Sequence, residues 1–136
     1  MKFRQTLSYD DVLLVPQFSD IESRNEIDIG SSLSDDLRLS LPIISSPMDT
    51  VSETKTAIEM SANGGMAVVH RYCDIHVQSN MVYNATRTLW QNGHPVVVGG
   101  AVGVRGSYME RTKELIDAGA EVICVDVSQS RSPAIK

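Results

Sequence analysis

The chain has 136 residues, which is the usual size of one domain and leaves no room for two independent ones. A hydrophobic share of 42% with 21% charged residues is typical of a folded globular protein, and argues against a disordered chain or a membrane protein. The net charge is -5, with no basic stripe and only 5% aromatic residues, so nucleic acid is excluded as an expected partner.

Residues 1–40 are predicted to form an N-terminal arm of extended segments and turns. A short apolar patch at 13–16 is followed by acids, serines and Gly30 mixed with isolated apolar residues, without helical periodicity. From Leu41 onward the composition changes to regularly spaced apolar runs, so residues 41–136 are predicted to form the folded domain.

The first apolar run, LPIIS at 41–45, predicts a strand bounded by prolines. Thr50 or Ser52 then offers an N-cap for a first helix that ends at Asn63-Gly64-Gly65. The run MAVVH at 66–70 predicts the second strand.

The pattern of strand and helix repeats twice more. Asp74 is the predicted N-cap of a second helix that ends at Asn92-Gly93, and the third predicted strand covers 95–104. Ser107 is the predicted N-cap of a third helix that ends at Ala118-Gly119, before a fourth strand at 122–127.

Apolar runs that do not alternate with polar residues, joined by amphipathic helices, are typical of parallel strands buried on both faces. The fold class is therefore predicted as α/β with a parallel sheet. If these are βα units of a closed (β/α)₈ barrel, which needs ~250 residues, the chain supplies only about half of it.

The two cysteines, Cys73 and Cys124, lie far apart and form no CxxC pair, so neither a zinc site nor a disulfide framework is predicted. The N-terminus turns acidic where a signal peptide would be apolar, and no run reaches the ~18 apolar residues of a membrane span. The expected compartment is the cytoplasm, and no membrane partner is expected.

Ligands of parallel α/β proteins bind at the carboxyl ends of the strands, where the N-termini of helices also lie. Asp126 ends the fourth run and could accept two hydrogen bonds from a ribose diol. Asp49 could serve either a ligand or a helix cap, and His70 could be either a catalytic group or a satisfied structural histidine. Gly99, Gly100 and Gly103 lack the dinucleotide-loop spacing, so close packing is their favoured use.

Four segments carry a family resemblance: LSYDDVLLVP at 7–16, SSPMDTV at 45–51, Gly64-Gly65 running to His70, and GAVGV at 100–104. Together they resemble the family of inosine monophosphate dehydrogenase and GMP reductase, and Pro47 is more similar to the dehydrogenase. The resemblance implies a (β/α)₈ barrel of which this chain gives the first four units. It also implies oxidation of IMP to XMP with NAD, in guanine nucleotide biosynthesis, through a cysteine adduct assisted by potassium.

The resemblance also implies roles for individual residues. Ser46 and Met48 match positions that contact the purine nucleotide monophosphate, whereas Asp126 and Ser128 match positions that line the nicotinamide and its ribose. His70 matches a residue beside that cofactor cleft. The family's homotetramer is the expected assembly.

Two departures from the family pattern change these expectations. The short connection between the second helix and third strand leaves no room for the pair of cystathionine-synthase-like modules, known as CBS modules. The nucleophilic cysteine loop and the potassium site belong to a part of the barrel outside this chain, so no catalytic residue and no metal ligand is predicted here.

Three functions stay open. The first is IMP oxidation by a longer protein, with this chain alone catalytically incomplete. The second is GMP reduction with NADPH, because DVSQS at 126–130 departs from the usual pattern. The third is a non-catalytic half-barrel that binds a nucleotide or a partner.

Overall fold

The structure is a computed structural model and describes residues 5–128 of the chain. Its centre is a four-stranded parallel sheet in the order β3-β4-β5-β6, which confirms the predicted α/β class. The elements in chain order are β1 (Ser31–Ser32), β2 (Arg38–Leu39), β3 (Ile44–Ser45), α1 (Thr54–Ala62), β4 (Met66–Val69), α2 (Ile75–Gln91), β5 (Val98–Val102), α3 (Tyr108–Asp117) and β6 (Val122–Val125).

The described part of the predicted arm, residues 5–40, has the expected irregular character. It holds two single-turn 3₁₀ helices, Tyr9–Asp11 and Arg24–Glu26, and the small antiparallel hairpin of β1 and β2. The hairpin anchors the end of the arm, because Leu39 is buried against the sheet. Upstream of it, Leu13 and Leu14 are almost fully exposed.

Side chains of the two central strands alternate between two apolar layers, as the pleat of a strand requires. Val69 and Val98 face the helices, where they pack with Val82, Leu89 and Leu115. On the opposite face a smaller cluster contains Leu39, Met66, Val68, Val97 and Ala101. Both faces of β4 and β5 are therefore covered, in agreement with the continuous apolar runs.

Gly100 shows why glycine is needed in β5. A Cβ atom at this position would lie 2.8 Å from Cδ1 of Leu115 on α3, so the buried leucine would have to shift to make room for it. The predicted use of the glycines for close packing is confirmed at this position, because Leu115 of α3 packs where a larger residue would carry its Cβ.

The second predicted strand, 66–70, agrees with β4 within one residue, whereas the other three were predicted too long. The first strand covers only Ile44–Ser45, because Pro42 has no N–H and the Ile43 N–H donates to the carbonyl of Leu41 in a turn. The third predicted strand, 95–104, corresponds to β5, which covers only Val98–Val102. The fourth predicted strand, 122–127, corresponds to β6, which ends at Val125.

The predicted N-cap of the first helix was also wrong, because neither Thr50 nor Ser52 occupies that position. Thr50 has a φ of 61°, which places it in a turn, and the Ser52 hydroxyl donates to the carbonyl of Ser46. Glu53 is the N-cap instead. Asp74 and Ser107 occupy their predicted N-cap positions, although neither side chain makes a capping hydrogen bond.

None of the helices in the described part of the chain is long and apolar enough to cross a membrane. Residues 129–136, which include the end of the DVSQS segment, lie outside the described residues.

Candidate functional site

The carboxyl ends of the four parallel strands lie along one edge of the sheet, as the parallel pairing requires. The residues predicted to bind a nucleotide or cofactor follow the strand ends at this edge: Ser46 and Met48 after β3, His70 after β4, and Asp126 and Ser128 after β6. Two hydrogen-bonded clusters organise it, one around His70 and one around Arg71.

The loop between β3 and α1 presents Ser46 and Met48. Its fold depends on Ser52, a buried residue whose hydroxyl lies 2.5 Å from that of Ser45 and donates to the carbonyl of Ser46. The Met48 N–H donates to the same carbonyl at 2.8 Å. With the backbone held from inside, the side chain of Ser46 is exposed and that of Met48 is 56% exposed, so both are accessible to a ligand.

His70 lies at the end of β4 and is only 2% exposed. Its Nδ1 accepts the Tyr72 N–H at 3.2 Å, so in the neutral ring the proton is on Nε2. Nε2 faces two carboxylate oxygens, Oε1 of Glu53 at 3.4 Å and Oδ1 of Asp49 at 3.6 Å. These contacts connect the end of β4 to the loop that presents Ser46 and Met48.

Asp49, Glu53 and His70 place three potential ligand atoms within 4.8 Å of one another, which raises the question of a metal ion. A metal-bound imidazole normally donates its other N–H to an acceptor. Here Nδ1 faces a backbone N–H donor instead, so Nε2 is the protonated nitrogen and has no lone pair for a cation. The geometry is that of a hydrogen-bonded cluster rather than a metal site.

Arg71 connects the ends of β4 and β6. Its Nε donates to Oδ2 of Asp126 at 3.1 Å, and its Nη2 donates to the carbonyl of Asp126 at 3.0 Å. The guanidinium passes over Gly103 at the end of β5, where a Cβ would lie 3.4 Å from Nη1. Asp126 is therefore already paired, and a ribose diol would share the carboxylate with this arginine.

A second arginine, Arg111, is held by a buried amide. Gln78 on α2 is fully buried, and its Nε2 donates to the carbonyls of Val69 at 3.1 Å and Ala101 at 2.8 Å. Its Oε1 accepts a 2.6 Å hydrogen bond from Nη1 of Arg111, whose Nη2 donates to the carbonyl of Cys73 at 3.0 Å. One glutamine thus connects two strands to α3.

The sequence interpretation missed Arg71, Gln78 and Arg111. A signal for Gln78 was available, because it occupies the apolar stripe formed with Val82, Ala85 and Leu89, where a polar residue needs buried partners. No comparable sequence feature indicated a role for Arg71, because its partner Asp126 lies 55 residues away in the chain.

The thiols at this edge are not activated. Burial raises the pKa of Cys73, although the nearby Arg111 opposes the shift, and burial also raises the pKa of Cys124. A raised pKa keeps a thiol protonated near neutral pH, so neither cysteine has the character of a nucleophile. His76 and His94 are exposed, and Ser128 is an exposed residue two positions after Asp126.

Comparison with known proteins matches this chain to one family. Residues 6–136 match the model of the IMP dehydrogenase / GMP reductase domain. The chain is 41% identical over 88 residues to inosine-5'-monophosphate dehydrogenase of Nitrosopumilus maritimus, a segment covering 65% of this chain and 18% of that protein. It is 46% identical over 81 residues to GMP reductase of Leishmania donovani, covering 60% of this chain and 16% of that protein.

A third relative is inosine-5'-monophosphate dehydrogenase of Staphylococcus aureus strain Mu50, 40% identical over 90 residues that cover 66% of this chain and 18% of that protein. The matched segments thus span less than a fifth of these relatives, and the family match covers nearly all of this chain. The chain belongs to the IMP dehydrogenase / GMP reductase family, which is a family of oxidoreductases.

Proposed function

We propose that the protein containing this chain is a purine nucleotide oxidoreductase that converts IMP, NAD and water to XMP and NADH. The observation that carries this proposal is the family match over residues 6–136. In this proposal residues 1–40 form an arm, residues 41–136 form the first half of a (β/α)₈ barrel without CBS modules, and the assembly is a cytoplasmic tetramer.

The exposed loop at the end of β3 is the proposed binding surface for the purine nucleotide, with Ser46 and Met48 as its contacts. Asp126 and Ser128 are proposed to line the nicotinamide and its ribose at the end of β6. In support, Arg71 fixes the carboxylate of Asp126 through Oδ2, and no donor among the described residues reaches Oδ1. Oδ1 is then the oxygen that would accept a ribose hydroxyl.

His70 was predicted to contact the cofactor, but its buried ring bonds to Tyr72 and faces Asp49 and Glu53. We therefore propose that it positions the nucleotide loop and reaches the cofactor only through that loop. No residue of this chain is assigned as the nucleophile or as a potassium ligand. The nucleotide cofactor supplies the hydride acceptor, and the residues described here bind and orient its ribose.

GMP reductase is the second candidate function. Its specific support is the 46% identity to the protein named GMP reductase in Leishmania donovani. That activity would convert GMP and NADPH to IMP, NADP and ammonia, so the two candidates differ in the nucleotide, the cofactor and the direction of hydride transfer.

A spectrophotometric assay of the natural-length protein tests both candidates. IMP with NAD should produce absorbance at the NADH maximum, whereas consumption of NADPH in the presence of GMP would identify the reductase. Asp126→Asn should raise the KM for the dinucleotide, and Asp117→Asn, an exposed carboxylate on α3, serves as the control. If the protein turns over neither substrate pair, the proposed function is wrong.

A further inference from the structure

A small cavity beside the Arg71 cluster is lined by three arginines. It has a volume of about 130 Å³ and lies between the end of β5 and the start of α3. Arg71, Arg105 and Arg111 line it together with Gly103, Ser107 and Tyr108. We call it the three-arginine cavity.

The charges around this cavity do not balance. Arg71 pairs with Asp126, but Arg111 bonds only to neutral acceptors, the Gln78 amide and the Cys73 carbonyl. Arg105 is exposed and makes no ion pair or hydrogen bond with the described residues. No carboxylate is among the described lining residues, so two guanidinium charges converge without a counter-charge.

Two of the three guanidinium groups are also held in place by the protein itself, before any ligand binds. Arg111 is fixed by a fully buried glutamine, and Arg71 is fixed by two hydrogen bonds to Asp126. A guanidinium has five N–H donors, so each retains donors beyond those used in the protein. Holding like charges together costs free energy, and a bound anion would offset that cost.

We propose that the three-arginine cavity binds one phosphate group, and that in the working enzyme this is a phosphate of the dinucleotide cofactor. Planar guanidinium forks match phosphate oxygens in geometry and charge. The volume is only a few times the ~30 Å³ that one water occupies, which suits a single tetrahedral group rather than a nucleoside. The cofactor assignment rests on the proposed function, and the phosphate chemistry does not.

The phosphate in the cavity could come from either of two parts of a dinucleotide, the 2'-phosphate of NADP or one phosphate of the diphosphate shared by NAD and NADP. Calorimetric titration of the natural-length protein with ADP-ribose and with its 2'-phosphorylated form separates them, because only the second carries the extra group. The test variant is Arg105→Gln, which removes the exposed arginine without disturbing the buried Gln78 network. The matched control is Arg87→Gln on the outer surface of α2, which removes the same charge outside the cavity.

The Kd of a phosphate ligand should rise roughly tenfold or more in Arg105→Gln, as expected for the loss of a charge-assisted hydrogen bond. Arg105→Lys should recover part of the affinity, and Arg87→Gln should change nothing. Loss confined to the 2'-phosphorylated ligand supports the 2'-phosphate, and equal loss for both ligands supports the diphosphate.

Equal affinities in the wild-type protein and Arg105→Gln, or no binding of either ligand at millimolar concentration, would overturn the phosphate site. Turnover of IMP with NAD is measured on the same samples. If Arg105→Gln weakens phosphate binding but the protein shows no turnover, only the proposed function is contradicted. If turnover is normal but Arg105→Gln binds the phosphate ligands as tightly as the wild-type protein, only this inference is contradicted.

Discussion

The central strands β4 and β5 and the edge strands β3 and β6 derive from similar apolar runs, yet their environments differ. Every residue of Met66–Val69 and Val98–Val102 is buried, whereas Ile44 on β3 is 43% exposed and Val125 on β6 is 48% exposed. A central strand has neighbours on both sides and a layer on each face. An apolar run therefore predicts a strand, but the position of that strand in the sheet determines its burial.

This difference bears on the proposed barrel. Within residues 5–128 no strand pairs with the outer side of β3 or β6, and an open apolar edge is an aggregation hazard unless another element covers it. The remaining units of a (β/α)₈ barrel would pair with both edges. The exposure of Ile44 and Val125 is thus in keeping with a longer protein in which these strands are interior.

Replacing Leu115 should have the largest effect on stability. This residue of α3 is fully buried over Gly100 of β5, so Leu115→Ala leaves a cavity next to a glycine that cannot fill it. We expect a loss of about 2–5 kcal/mol in the free energy of unfolding, measured by urea denaturation of the natural-length protein. Ile116→Ala, at a 57% exposed position on the same helix, should cost less than about 0.5 kcal/mol. Equal losses would show that α3 does not cover the central strands as described.

Removing the Ser61 hydroxyl should have the next largest effect. The buried Oγ donates to the Pro95 carbonyl at 2.7 Å and accepts the Val97 N–H at 2.9 Å, which joins α1 to the segment entering β5. Ser61→Ala leaves two polar groups unpaired, so we expect a cost of about 1–3 kcal/mol in the same measurement. The control Thr88→Ala removes a hydroxyl that bonds only to Asn84 within α2, and it should be nearly neutral. A neutral Ser61→Ala would show that water replaces the hydroxyl.

The sequence predicted those features that depend on neighbouring residues. The buried runs of β4 and β5, and the N-cap positions of Asp74 and Ser107, follow from local pattern and chemistry. The start of α1 could not be obtained in this way. Ser52 has the right chemistry for a cap, but its hydroxyl is used inside the preceding loop, and that geometry depends on the end of β3.

The candidate site was predictable in location but not in its connections. Parallel strands place their carboxyl ends at one edge, so Ser46, Met48, His70 and Asp126 could be assigned to it from sequence. The pairing of Arg71 with Asp126 depends on strand order, because β5 lies between the two strands that they follow. A local pattern in the sequence cannot predict a contact between residues that are separated by an intervening strand.

The Arg71 to Asp126 ion pair tests whether a central strand and an edge strand are coupled at the site. Both side chains are partly exposed, at 33% and 27%, so solvent screens the attraction. A double-mutant cycle of Arg71→Gln and Asp126→Asn should give a coupling free energy of about 0.5–1 kcal/mol. The coupling should shrink at high salt. A coupling of zero at low salt would mean that the pair does not hold the two strand ends together.

The smallest expected effect is on the alkylation rates of the two thiols, and it involves no change in stability. Cys73 follows central strand β4 and Cys124 lies in edge strand β6, and burial raises the pKa of both. A raised pKa lowers the thiolate fraction at a given pH, so iodoacetamide should label both more slowly than a peptide thiol at pH 8. The difference should shrink as the pH rises above the raised pKa, because the thiolate fraction no longer differs. Arg111 opposes the shift at Cys73 alone, so Arg111→Gln should slow labelling of Cys73 and leave Cys124 unchanged, as followed by mass spectrometry. Labelling of Cys73 faster than the peptide would contradict the described burial, and an equal change at both cysteines would indicate that the substitution loosens the sheet instead of removing a local charge.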